Sequence, residues 1–460
     1  MARGAGVPVI LLLACAGSFV VILDATIVSV ALPPIRAALG LDPETLTWVV
    51  NAYTLAFAGF LLLGGRLCDE FGRRRMFVLG LSLFTVARLV AGLAGSAGVL
   101  LAARAVQGFG AALLMPVTLA LLTSTYTEPA RRARVLGTWS AVGAIGAAAG
   151  PVVGGLLTEW AGWRWVFFVT VPIGAVAVAV AARALPPPDH DGPRGRLDVL
   201  GAVLSTAGLV GVVYAVMRSS AAGWGSGEVV LPLLAGLALL VVFVVHQGRW
   251  AADPLLALDI FRLRSVSSGN VVILLLGLGF LASPVLLSLY LQDVHGYPPL
   301  AAGLAYLPIG VAMFAGAQSA GRLSVRMGPR RATVLFCVLA AAGLGGVAAL
   351  AGPHASYPAS VLVPGIVFGF GSAAAFTPIT VSATSGVPPR RNGLAAGVLN
   401  TVRQTSGAVG LAALGTLAAA VAGRTGAVDA LSDGYTAAFA ASACCLAAAA
   451  VVAAVAMPRR

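Results

Sequence analysis

Apolar residues run in long unbroken blocks along this chain, with polar residues gathered into short clusters between them. A helix needs about twenty apolar residues to cross a hydrocarbon core of ~30 Å, and the blocks meet that length. They do not alternate every second residue over about ten positions, as barrel strands would. Fourteen blocks are marked out, near 8–32, 46–65, 76–95, 99–124, 134–158, 163–184, 197–217, 229–246, 268–292, 300–321, 331–351, 358–385, 392–421 and 435–457. The pattern therefore predicts an all-α membrane protein with 14 transmembrane helices. An even count returns both termini to one side of the bilayer.

The polar punctuation divides the blocks. Leu185 to Arg194 is polar and proline-rich and cannot continue a helix. It sets off a six-helix half at 1–184, with a linker at 185–196. An inserted helix pair follows at 197–246, then a cytoplasmic or interfacial segment at 247–267, and a second six-helix half at 268–460. The order is 6+2+6. Asp253 to Arg264 mixes apolar and charged residues, which predicts a surface helix along the inner leaflet. One loop occurs twice. Gly65-Arg66-Leu67-Cys68-Asp69-Glu70-Phe71-Gly72-Arg73-Arg74-Arg75 has a weaker copy about 256 positions on, from Gly321 to Arg331. A repeated loop means two related, pseudo-symmetric halves.

Composition agrees and narrows the function. Hydrophobic residues make up 59%, charged residues 10%, and the mean hydropathy is +0.97. A soluble fold could not cover so much apolar surface, whereas a bundle in lipid need not. The net charge of +13 comes wholly from arginine, since the chain has no lysine. Most arginines fall in the segments on the side of the termini, which makes that side cytoplasmic and suits anionic lipid heads rather than nucleic acid. The first apolar run continues too far for a signal peptide and is expected to stay as the first span. A lysine-free chain cannot supply the Lys of a phosphate-binding loop, so ATP-driven transport by this chain alone is excluded. The five cysteines and four histidines form no disulfide framework, metal cluster or catalytic set in the sequence. The chain is expected not to be an enzyme, and to need no cofactor.

Chemistry is expected where charge enters the spans. Of sixteen acidic residues, only Asp24 lies well inside one. A lone carboxylate at that depth costs roughly 2.5–3.5 kcal/mol. It suits a group that takes up a proton and gives it back when water or a cation arrives; a permanently hydrogen-bonded packing Asp is the other reading. Arg104 in the fourth span cannot shed its charge and needs a partner, for which Asp24 is a candidate. Arg88 lies deep in the third span and matches no motif; snorkelling outward and contact with cargo are both open. In the fifth span, Gly146, Gly150 and Gly154 recur every fourth residue, leaving a bare helix face, and Pro151 can kink it.

Several strings together resemble the major facilitator superfamily, and within it the fourteen-span drug:proton antiporter family. They are Leu23-Asp24-Ala25-Thr26-Ile27 to Pro33, Arg104-Ala105-Val106-Gln107-Gly108-Phe109-Gly110, Gly143 to Gly155, Gly162-Trp163-Arg164-Trp165, and the loop Gly65 to Arg75. Ser29 and Thr170 stand where Asn is usual, and Val325 replaces the acid in the second loop copy. The resemblance implies a major facilitator fold and proton coupling at Asp24 with Arg104. It implies a gating loop at Gly65, Asp69, Gly72, Arg73 and Arg74, and an exporter motif at Gly146, Gly150, Pro151, Gly154 and Gly155. It further implies multidrug or antibiotic efflux, driven by the proton gradient, from a monomer in a bacterial inner membrane with cytoplasmic termini. An exporter of an amino acid or other metabolite would share these motifs, and a non-transporting membrane sensor is a third reading.

Cargo is expected to meet Asn51, Tyr53, Gln107, Tyr290, Tyr306, Phe314, Gln318, Phe376, Asn400 and Arg403. For Asn400 and Arg403, a packing network at the cytoplasmic end is an equal alternative. The tenth span contains no acid, so neutral and monocationic aromatic compounds are expected to suit the site better than rigid dications.

Overall fold

In hydrocarbon every backbone polar group must be satisfied within the chain, and this chain does so with helices. The computed structural model describes residues 6–126, 128–185, 198–251, 254–256, 258–384, 387, 392–423 and 427–458, and among these there is no strand. The first part holds α1 (Gly6–Leu39), α2 (Pro43–Phe71), α3 (Arg73–Gly92), α4 (Ala97–Thr125), α5 (Pro129–Trp160), α6 (Trp165–Phe168) and α7 (Val171–Ala184). Two helices follow, α8 (Val199–Ala222) and α9 (Gly227–Arg249). The rest comprises α10 (Arg264–Phe280), α11 (Ser283–Asp293), α12 (Pro299–Met327), α13 (Pro329–Leu350), α14 (Val363–Thr384), α15 (Asn392–Ala422) and α16 (Val428–Ala456). α6 with α7, and α10 with α11, each make one broken span.

Among the described residues, 12 spans are long and apolar enough to cross a membrane. The expected spans outside that set are α2 and α5, helices of 29 and 32 residues in which some side chains lie outside the described residues. Within α2 the apolar stretch is Thr45–Leu61.

The repeated loop is one structure built twice. α2 turns into α3 at Gly72 with φ 86°, and α12 turns into α13 at Gly328 with φ 80°. That left-handed backbone costs glycine least. In each copy one arginine then reaches the last turn of a distant helix: Arg74 Nη2 donates to Ala182 O on α7, and Arg330 Nη2 to Ala454 O on α16. A cation at a helix C-terminus answers unpaired carbonyls and the dipole together.

Two interhelical segments bear on the sequence reading. Of the expected linker at 185–196, all but Leu185 lies outside the described residues. The expected surface helix at 253–264 is instead a short 3-10 turn, Leu258–Arg262, and residues 253 and 257 lie outside the described residues. Its apolar residues meet protein: Ile260 packs with Val266 and Val387, and Leu255 packs with Leu63 and Ala202.

α8 lies over the seam between α2 and α15. Thr206 of α8 sits directly against Gly59 of α2. Met217 Sδ accepts from Asn51 Nδ2 at 3.6 Å, and Val216 O accepts from Thr416 Oγ1 of α15 at 3.2 Å. α9 packs on α8, leaving Leu231, Leu234, Leu237 and Val241 exposed, as suits a lipid-facing helix.

At the pole opposite the chain ends, α1 and α5 close against α11 and α12, with α16 beside them. There Arg36 pairs with Asp293 at 3.1 Å, and Asp293 also accepts from Tyr435 Oη at 2.8 Å. Gln292 Nε2 donates to Val30 O at 3.2 Å, Ser288 Oγ to Ser29 O at 3.3 Å, and Leu300 N to Glu159 Oε2 at 3.1 Å. A cavity of about 10 Å³ lies there between Ser29, Pro151, Ser288 and Tyr306. That is room for about one water.

Candidate functional site

Close helix crossings at glycine bring three charged residues together. On α4, Gly108 lies against the Tyr53 carbonyl of α2, and a Cβ on Gly110 would stand 2.8 Å from Phe84 N of α3. Gly80 of α3 meets the Gly110 carbonyl in return. These contacts draw α2, α3 and α4 together behind α1. The Arg-x-x-Gln-Gly-x-Gly string thus carries its arginine on the helix that its glycines seat.

Asp24 lies at the centre, fully buried, between Arg88 and Arg104, each 1% exposed. Arg104 Nη1 donates to Asp24 Oδ2 at 2.7 Å and to Gln107 Oε1 at 3.0 Å, while its Nε donates to Val49 O at 2.8 Å. Its guanidinium lies 4.5 Å from the centre of the Tyr53 ring. Arg88 Nη1 donates to Asp24 Oδ1, its Nε to Phe167 O at 3.0 Å, and its Nη2 to Val166 O. The carboxylate takes one cation on each oxygen, and charge-assisted bonds of this kind are the strong ones. Two cations and one anion leave a formal charge of +1; a proton on Asp24 would leave two guanidiniums facing each other without a counter-charge. Beside the cluster, Tyr53 Oη and Gln107 Nε2 are enclosed without a protein hydrogen-bond partner. Buried polar groups of this kind are ordinarily met by water.

Both open readings of Arg88 are thus replaced by a third: it neither snorkels nor waits for cargo, but holds Asp24 from the α3 side. The signal was a charge inventory. An arginine that deep cannot stay unpaired, and Asp24 was the only acid at its depth.

The small face of α5 serves two partners. A Cβ on Gly150 would strike the Thr26 side chain of α1, and one on Gly154 would lie 2.5 Å from the Ile27 carbonyl. Gly146 also faces α1, against Phe19. Gly155 instead faces α12, where a Cβ would lie 2.5 Å from Pro299 O, and Gly303 of α12 meets the Pro151 carbonyl. The motif holds the Asp24 helix within one half and closes the seam between halves. In the loop, a Cβ on Gly65 would make ordinary contact with Pro116, Arg73 is exposed and Arg74 is engaged as above; the Asp69 side chain lies outside the described residues.

The expected cargo residues do not form one surface. Asn51 is fully buried against Met217, and Tyr53 and Gln107 close over the charge cluster. Tyr290 is enclosed near the shut pole, its ring against Tyr435 and Phe439 and its hydroxyl between Gly352 and His295. It packs there, away from the middle of the spans, because an aromatic ring fills a helix junction as readily as it receives cargo. Tyr306 borders the small cavity and lies 3.7 Å from Met313 Sδ. Phe314 and Gln318 are exposed on α12. Phe376, Asn400 and Arg403 do come together, half-buried: Arg403 Nη2 donates to Asn400 Oδ1 at 2.6 Å, and its guanidinium lies 5.4 Å from the Phe376 ring centre.

A bundle of long apolar helices in two repeated halves, with ion pairs buried at mid-depth, is the build of a secondary transporter. The family model described as Major Facilitator Superfamily matches residues 14–411, and the chain belongs to that superfamily. It is similar to the cephamycin export protein CmcT of Amycolatopsis lactamdurans, at 40% identity over 93% of this chain and 88% of that protein. It is also similar to the puromycin resistance protein pur8 of Streptomyces alboniger, at 38% over 92% and 86%. The tetracenomycin C resistance and export protein of Streptomyces glaucescens is 33% identical over 92% and 77%. Among solved structures, a peptide transporter POT in complex with sulfate has the same fold, with a TM-score of 0.71 and 16% identity over 97% of this chain and 93% of that one. The protein is a multi-pass membrane transporter of the superfamily, not an enzyme.

Proposed function

We propose that the protein is a proton-coupled antiporter that exports amphipathic organic compounds, drugs or antibiotics, by alternating access. The export and resistance names of its relatives support the efflux part. The observation that supports proton coupling is Asp24, the one deep acid, gripped by two arginines from different helices. Proton uptake cancels the anion that holds α1 to α3 and α4, and the two guanidiniums then repel. Proton release restores both bridges. Cargo and proton can therefore favour different arrangements of the halves, which is what antiport requires.

The helices fit fourteen spans arranged 6+2+6, with α2 and α5 completing the set. Arginine bias puts the chain ends in the cytoplasm of a bacterium's inner membrane. The shut pole then faces outward, and this arrangement is the one that loads cargo from inside. The chain works as a monomer, needs no cofactor, and draws on the proton gradient alone.

The test is transport by everted vesicles across a panel of lipophilic drugs and amino acids. pH-driven uptake of drugs supports the reading; uptake of amino acids alone would replace it. Within the panel, rigid dications should be carried poorly relative to neutral or singly charged compounds with the same rings. The half-buried group around Arg403 has no carboxylate partner among the described residues, and the cost of desolvating charge rises steeply with its size. Paired mono- and divalent analogues would read this as relative uptake, and equal uptake would contradict it.

A further inference from the structure

Among the described residues, three arginines and one aspartate occupy the middle of the bundle, and the aspartate is already spent on two of them. Arg403 is the third. Its Nη2 is held by Asn400, a neutral acceptor, and its guanidinium carbon lies 5.4 Å from the Phe376 ring centre. Its Nε is enclosed and has no hydrogen-bond partner in the protein. No carboxylate among the described residues pairs with it. Nor can it lower the cost by losing its charge. Arg88 and Arg104, by contrast, are each matched to a carboxylate and to backbone carbonyls. Arg403 is anchored at one nitrogen, lies beside an aromatic ring, is only partly buried, and has no anion of its own among the described residues.

A partly exposed guanidinium with no fixed anion matches a carboxylate in a two-point fork through its terminal nitrogens. Phe376 in turn meets Phe280 edge to face at 5.3 Å between ring centres, so apolar aromatic surface continues from the cation. We propose that Arg403 receives a carboxylate on the cargo while Phe376 and Phe280 take its rings. The exported compounds are then aromatic or heterocyclic acids and zwitterions of low net charge, rather than simple cations. This inference rests on the export reading and names the substrate class of the same transporter. It revises the expected preference for monocations, which followed from the lack of an acid in α12 and took no account of an unneutralised Arg403.

The probes are a rhodamine free acid and its methyl ester, which share one ring system and differ in the carboxylate. Binding is read by fluorescence anisotropy on the purified full-length protein, and transport by everted vesicles. Wild type should bind the free acid about tenfold tighter than the ester. Arg403→Gln should weaken the acid about tenfold and leave the ester within about twofold, and Arg403→Lys should recover part of the loss. Equal binding of acid and ester by wild type, binding of neither, or an equal loss of both in Arg403→Gln would overturn the assignment. The last outcome would make Arg403 a packing residue. Arg403-dependent binding of the acid without any pH-driven transport would uphold the inference and sink the export reading, so the two fail separately.

Discussion

Asp24→Asn is expected to reduce pH-driven export to background while cargo still binds. Asparagine matches the carboxylate in shape and cannot exchange a proton at working pH. The substitution also strands Arg88 and Arg104 at 1% exposure each, and removing one partner from a buried ion pair costs about 3–5 kcal/mol. Loss of export could then reflect a damaged fold. The double variant Asp24→Asn, Arg88→Gln separates these outcomes. It removes one stranded cation and leaves Arg104 its bonds to Val49 O and Gln107. Both variants should reach the membrane, and the double variant should be the more heat-stable, yet neither should export. Recovery of pH-driven export in the double variant would show that Asp24 neutralises charge and carries no proton.

The second large effect is expected in the α5 face. Gly150→Leu drives a branched side chain into Thr26, two residues from Asp24, and α1 has to shift away. Overpacking of this kind costs about 1–3 kcal/mol where the backbone cannot yield, and here it also moves the ion cluster. Gly303→Leu acts elsewhere. It meets the Pro151 carbonyl across the seam between halves and should hold the shut pole ajar. Export should fall severely in both variants, by different routes. In a cysteine-free background, Ser29→Cys at the seam reports on closure through its labelling by a membrane-impermeant maleimide. Gly303→Leu should raise that labelling several-fold over the parent, and Gly150→Leu should raise it much less. A Gly303→Leu protein that stays sealed would show that the seam tolerates the bulk.

Twelve of the fourteen expected spans are legible among the described residues because lipid imposes one rule, about twenty apolar residues with every backbone group paired inside, and sequence displays that rule directly. The repeated loop was legible for a similar reason: Gly72 and Gly328 stand where a positive φ is needed, and the same residue recurs. Partners were harder. Arg88 is visibly deep, but nothing within α3 says that α1 lies beside it; that approach depends on another helix, where Gly17 of α1 lies against Phe77 of α3 and Thr118 of α4. Tyr290 was grouped with cargo residues because a ring that packs and a ring that binds are the same residue in a sequence. Asp253 to Arg264 looked like a helix on the membrane surface because an apolar face reads alike whether lipid or protein covers it. Arg403 shows the converse. Its identity was plain, but its meaning depended on what fails to pair with it.

Drug-induced proton movement tests the central claim most directly. Everted vesicles bearing the protein, with an established pH gradient and a pH-sensitive dye inside, would be challenged with a transported drug. Wild type should release protons in proportion to the drug taken up. Asp24→Asn should release none, at matched protein levels and with drug binding retained. Drug uptake by wild type without proton release, or equal release by Asp24→Asn, would contradict a proton-coupled exporter built on Asp24.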